Sequence, residues 1–74
     1  MKPKDMREGA AYVIVYYDHF EGDMDMLILT ELGFYINQTK LYIFVNGYRD
    51  SEGTVYNRSG IIKSCIIDIQ ELSG

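Results

Sequence analysis

Three features of the chain predict an all-β fold. Apolar runs rich in Val, Ile, Leu, Phe and Tyr recur at residues 12–17, 26–30, 34–36, 41–45 and 61–69. Turn-forming residues separate them: Glu21-Gly22-Asp23, Gly33, Asn37-Gln38, Asn46-Gly47 and Ser51-Glu52-Gly53. Five of the nine residues from Ile61 to Ile69 are isoleucine, and β-branched side chains fit a pleated strand better than a helix. Gly and Asn supply the positive φ that tight turns need.

The elements follow in order. Residues 1–9 read as a polar arm, with one short helical turn after Pro3, and residues 10–74 as a single small domain. Residues 10–18 form the first strand. Both of its alternating sets, Tyr12/Ile14/Tyr16 and Val13/Val15/Tyr17, are apolar, so both faces are expected to be covered. Residues 24–31 form the second strand, ended by a turn at Gly33. Residues 34–37 and 40–45 give two more. Asn46-Gly47 fits either a two-residue hairpin turn or a bulge inside a strand that runs on to turn at Ser51-Glu52-Gly53. The second reading is preferred, because Gly inside a strand often marks a bulge, and residues 54–57 then pair back. Residues 59–72 also satisfy helical spacing, yet their isoleucines favour a strand. Ile67 and Ile69 are expected in the core, with Ile62 in support. Five or six short antiparallel strands predict a strongly bent sheet closed into a small barrel, since closure removes aggregation-prone edges.

Size and composition narrow the function. A chain of 74 residues buries roughly 60–65% of the surface its unfolded form exposes, so its core is marginal. With one cysteine, Cys65, and one histidine, His19, neither an internal disulfide nor an ordinary zinc site reinforces it. Association is the remaining common reinforcement. The 47% hydrophobic content and seven tyrosines agree, because a tyrosine ring packs at an interface while its hydroxyl stays wet. No membrane-spanning run and no hydrophobic signal region are apparent, so a cytoplasmic location is expected.

The net charge is −4 and unevenly spread. Asp18, Glu21, Asp23, Asp25 and Glu31 lie in a stretch without Lys or Arg, whereas Lys40, Arg49, Arg58 and Lys63 are scattered behind it. This balance argues against generic DNA or RNA binding, which needs cations to replace released counterions. A local basic site survives that argument.

The tail Gly60-Ile-Ile-Lys-Ser-Cys-Ile-Ile-Asp-Ile-Gln-Glu-Leu72 resembles the end of Sm-like and related small five-stranded barrels. The resemblance implies one tight helical turn at Lys63-Ser64-Cys65 and a closing strand over residues 66–70. It further implies a strongly bent sheet, and frequent assembly into rings through strand edges. The RNA-contacting residues of that family do not align onto this chain, so no RNA site is carried over.

Candidate chemistry is sparse. Asp23 and Asp25 share one face of a strand, roughly 7 Å apart, but the acidic stretch lacks the EF-hand pattern. Asp18, Glu21, Asp23, Asp25 and Glu31 read better as an acidic partner-binding surface, or as a solvated loop. Adjacency of Asp18 and His19 supplies no catalytic geometry, and Cys65 among isoleucines reads as a packing group. Tyr16, Tyr35, Tyr42 and Tyr48 are the aromatic candidates for a partner face. A base-stacking role for the tyrosines needs a positive groove beside them. No phosphate loop, nucleotide fingerprint or metal motif is present, so no catalytic residue and no cofactor are expected.

The expectation is a non-enzymatic binding module acting on a protein partner, with likeness to the small inhibitors and adaptors of viruses and mobile elements, and forming a homo-oligomer. An Sm-like RNA-binding oligomer is the alternative, favoured if Lys40, Arg49, Arg58 and Lys63 converge. An acidic mimic of nucleic acid is a third reading, and it requires the five carboxylates along one exposed ridge.

Overall fold

The computed structural model of the chain describes residues 1–19 and 26–72. Its strands are β1 (Ala11–His19), β2 (Met26–Gln38), β3 (Tyr42–Asn46), β4 (Tyr48–Arg49), β5 (Val55–Tyr56), β6 (Ser59–Ile62) and β7 (Ile66–Glu71). Two 3-10 turns, at Pro3–Asp5 and Lys63–Cys65, are the helical elements among the described residues. The all-β class follows. Five strands form one antiparallel sheet in the order β6-β3-β2-β1-β7, and β4 pairs with β5 in a separate two-stranded ribbon.

The ends of that order, β6 and β7, are consecutive in the chain and joined only by Lys63–Cys65. In a flat sheet, edges four spacings apart lie roughly 19 Å from each other. A three-residue 3-10 turn rises roughly 6 Å. The sheet therefore curls until its two edges approach at this turn. Lys63 N–H donates to the Leu41 carbonyl at 2.8 Å, and Ile66 is already paired with Tyr16 on the far edge. The expected closed barrel is not formed. β6 pairs with β3 and β7 with β1, and no ladder joins β6 to β7 among the described residues.

β2 is long because it serves two partners. Its residues from Met26 to Phe34 pair with β1, and those from Phe34 to Gln38 with β3. Gly33 sits just before the handover, inside the strand and not at the expected turn. A Cβ there would lie 2.9 Å from the Cβ of Val45. The glycine thus permits close approach of β3, the other common meaning of Gly within a strand. Gly47 is neither a hairpin turn nor a bulge inside one strand: β3 ends at Asn46, the chain bends at Gly47, and β4 begins the separate ribbon, which turns at residues 51–53 so that β5 pairs back on β4 as expected.

The core is Met6, Tyr12, Ile14, Tyr35, Ile43, Val45, Ile61 and Ile69, with Ala10, Tyr16 and Ile66 packed against it. Tyr12 and Tyr35 meet edge to face, 6.4 Å between ring centres. Met6 brings the N-terminal segment into this core. Arg7 N–H donates to the Tyr12 hydroxyl at 2.7 Å, and the Arg7 guanidinium, paired with the Glu71 carboxylate, is held protonated more firmly than a free arginine. Gly9 N–H donates to the Tyr35 carbonyl. Of the isoleucines expected inside, Ile69 is 2% exposed, but Ile67 is 47% and Ile62 44% exposed. The cause for Ile67 is a bulge: Val15 pairs with Asp68 and Tyr16 with Ile66, so Ile67 is skipped and inward-facing positions become 66 and 69. Ile62 pairs with Tyr42, on the outward face of β3.

Candidate interaction surfaces

Of the five acidic candidates, Asp18 and Glu31 lie among the described residues. Asp18 lies in β1 opposite Leu27, while Glu21, Asp23 and Asp25 fall outside the described residues. Glu31 pairs with Ile14, shares its inward face, and accepts a hydrogen bond from the Tyr16 hydroxyl at 3.1 Å. Among the described residues, no group of three His, Cys, Asp or Glu is placed to hold a metal ion. Cys65 is half-buried in the 3-10 turn.

The four candidate tyrosines separate. Tyr35 is a core residue, and its hydroxyl accepts from Gln38 Nε2 at 2.9 Å. Tyr16 is half-buried against the core. Tyr42 and Tyr48 are exposed, and each belongs to an aromatic stack. Tyr42 stacks on Phe44, 5.9 Å between centres and 24° between planes. The Arg58 guanidinium carbon lies 4.9 Å from the centre of the same Phe44 ring. Phe44 pairs across the strands with Gly60, where a Cβ would come 3.0 Å from Phe44 Cε1. The absent side chain lets the ring lie over β6 and reach Arg58.

Tyr48 and Tyr56 are direct cross-strand partners on the ribbon, 4.9 Å apart and nearly parallel at 8°. The ribbon tip is held by Asp50. Its Oδ1 accepts from the Glu52 and Thr54 backbone N–H groups at 2.9 and 3.0 Å, and its Oδ2 accepts from the Tyr56 hydroxyl at 3.0 Å. These bonds, the Thr54 amide foremost, hold the Asp50 carboxyl below the usual carboxylate range. At the ribbon base, buried Asn46 donates from Nδ2 to the Tyr48 carbonyl at 3.1 Å, while its Oδ1 has no partner among the described residues.

A third surface is the outward face of the β1–β2 pair. The register puts Ala11, Val13, Val15 and Tyr17 on the same face as Phe34, Leu32, Thr30 and Ile28. Leu32 is 62% exposed. Beside it Ala11, Leu32, Gly33, Phe34, Gly47 and Leu72 line an open pocket of about 190 Å³.

Sequence reasoning named Arg58 only as one of four scattered cations, and missed Phe44, Leu32 and Phe34 as surface residues. One signal for Phe44 and Arg58 was readable: residues 32–49 and 53–67 contain no Asp or Glu but hold four of the seven cations. Those segments build β3, β6 and their flanks. Lys40 and Lys63 flank the hydrogen bond from Lys63 to Leu41, and Arg58 lies over Phe44 on the same pair of strands. Among the described residues, Lys40, Arg58 and Lys63 thus flank β3 and β6, whereas Asp18, Glu31, Asp68 and Glu71 lie in β1, β2 and β7.

No protein-family model, curated protein or solved structure matches the chain.

Proposed function

We propose that the protein is a non-enzymatic binding module that works by protein–protein association, copies of itself included. The observation that carries this reading is the outward face of β1 and β2, where exposed Leu32 and Phe34 border an apolar-lined pocket. Contiguous apolar surface of this kind is seldom left open on a small soluble domain. Burying it also reinforces a core that is marginal for 74 residues. Sedimentation equilibrium at micromolar concentration tests the reading. The expected result is a mass above 8.6 kDa that falls in Leu32→Ser/Phe34→Ser. A monomer, together with no specific partner retained from a host lysate, overturns it.

A second reading, an Sm-like RNA-binding oligomer, is favoured by one observation: Lys40, Arg58 and Lys63 border a stacked aromatic surface. Aromatic faces beside cations suit single-stranded bases. Fluorescence anisotropy with oligouridine tests it; affinity that collapses with added salt supports RNA, and none at low salt removes it.

A further inference from the structure

β6 is one end of the sheet, and its hydrogen-bond parity shows which backbone groups it leaves free. Lys63 N–H donates to the Leu41 carbonyl at 2.8 Å, so Ile61 and Ser59 bond toward β3, opposite Ile43 and Val45. The N–H and C=O of Gly60 and the N–H of Ile62 therefore point away from β3, and among the described residues no backbone partner takes them. Both residues are exposed, Ile62 at 44%. The opposite edge differs. Leu72 N–H donates to the Ala11 carbonyl, which turns the Ile69 backbone away from β1, yet Ile69 is 2% exposed, so that edge is covered at its middle. β6 is thus the edge that a further strand can reach, and its unpaired N–H and C=O groups select an extended backbone as occupant.

We propose that β6 pairs antiparallel with β6 of a second copy about a two-fold axis at Ile61, joining the two sheets edge to edge. The residues of β6 choose this occupant. A dyad at Ile61 sets Gly60 of each copy opposite Ile62 of the other, so each Ile62 N–H donates to the Gly60 carbonyl across the dyad. Ile62 pairs with Tyr42 and Gly60 with Phe44 on the outer face, and the Phe44 ring leans across Gly60. The strand is therefore its own complement: exposed Ile62 projects an apolar side chain, and opposite it the bare glycine presents the Phe44 ring. Charge agrees, because Arg58 falls opposite Ser64 and Lys63 opposite Ser59, so these cations do not face each other. Moving the dyad to Gly60 would set glycine against glycine and Ile62 against Arg58. Moving it to Ile62 would run the pairing into the Lys63–Cys65 turn. Head-to-tail joining of β6 to β7 would propagate, and the covered middle of β7 opposes it. The contact leaves the β1–β2 face free and so goes beyond the association proposed there.

The test acts on the backbone. Ile62 has φ −69°, which proline adopts, and its N–H points off the sheet, so Ile62→Pro removes the pairing donor without touching the bonds to β3. Sedimentation equilibrium is run from micromolar to millimolar concentration on Leu32→Ser/Phe34→Ser, which keeps β6 intact. The expected mass rises toward twice the chain mass of 8.6 kDa. Adding Ile62→Pro is expected to make this dimer dissociate about tenfold more readily, with an unchanged circular dichroism spectrum. Ile62→Val, which keeps the donor and the β-branched side chain, is expected to dimerise as before. Amide hydrogen exchange on the unaltered chain needs no substitution. The Ile62 amide is expected to gain protection as concentration rises, whereas the Lys63 amide, bonded to Leu41, is protected throughout. Fast exchange at Ile62 in a self-associated sample overturns the β6 pairing and leaves self-association to another surface. If Leu32→Ser/Phe34→Ser is monomeric while the unaltered chain associates, the β1–β2 face carries self-association and the β6 pairing falls. A monomer at every concentration of the unaltered chain also overturns it, and protein association then rests on a different partner.

Discussion

Gly33 of β2 lies so close to Val45 of β3 that a Cβ on the glycine would stand 2.9 Å from the valine Cβ. The contact falls where β2 passes from β1 to β3, so it governs how tightly the sheet bends. Real Cβ atoms do not approach this closely, and the Val45 atom is the root of a buried side chain that cannot swing aside. Gly33→Ala is therefore expected to destabilise the domain by about 1–3 kcal/mol, the usual range for overpacking. Urea denaturation checks it. A variant as stable as the unaltered chain would mean that β2 and β3 separate freely at the bend.

The β7 bulge yields a contrast between neighbouring isoleucines. Ile69 is 2% exposed and faces Ile14, whereas Ile67 is 47% exposed at the bulge. Ile69→Ala should cost about 2–5 kcal/mol, as large-to-small core changes do. Ile67→Ala should change stability by less than about 1 kcal/mol. Equal losses at both positions would place the register of β7 in error.

Strand content and the turn after β4 were legible because each rests on local chemistry, whereas the 3-10 turn before β7 was implied only by the likeness of the tail to small five-stranded barrels. Glycines mark turns, and clustered isoleucines mark strands. The meaning of Gly33 was not legible, because a turn and a close approach place the same residue in the same pattern. Neither was the outward turn of Ile67, since a bulge shifts side-chain parity without leaving a mark in an all-apolar run. The same ambiguity hid the surfaces. Tyr12, Tyr35 and Tyr42 look alike in sequence, and only the register separates the buried pair from the exposed one. Charge segregation was readable, but its significance depends on β3 and β6 being neighbours.

Asp50 makes the ribbon sensitive to acid. Its carboxyl is held below the usual carboxylate range chiefly by the Thr54 amide, then by the Tyr56 hydroxyl. A group whose pKa is depressed on folding contributes stability that is present above its unfolded value and lost as pH falls through the folded value. The ribbon tip should therefore stay ordered at neutral pH and loosen in acid, below the ordinary aspartate range. Amide resonances of Glu52 and Thr54, followed by NMR across an acid titration, should move together with that midpoint. Asp50→Asn should remove the transition. Persistence of the transition in that variant would assign it to another group.

The stack around Phe44 can be perturbed separately from the core. A methyl group at position 60 would come 3.0 Å from Phe44 Cε1 and 3.4 Å from Cδ1, both on the far part of a half-buried ring. That ring can tilt away, unlike Val45 against Gly33. Gly60→Ala is expected to leave thermal stability within about 0.5 kcal/mol, in the range of surface substitutions. It should nevertheless move the ring from beneath Arg58, now 4.9 Å from its centre. In the unaltered chain the Arg58 side-chain protons near the ring face should be shifted upfield by the ring current. Gly60→Ala should return them toward their unstacked positions. An unchanged Arg58 spectrum in Gly60→Ala would show that the ring has room to spare and that the glycine does not hold the stack open.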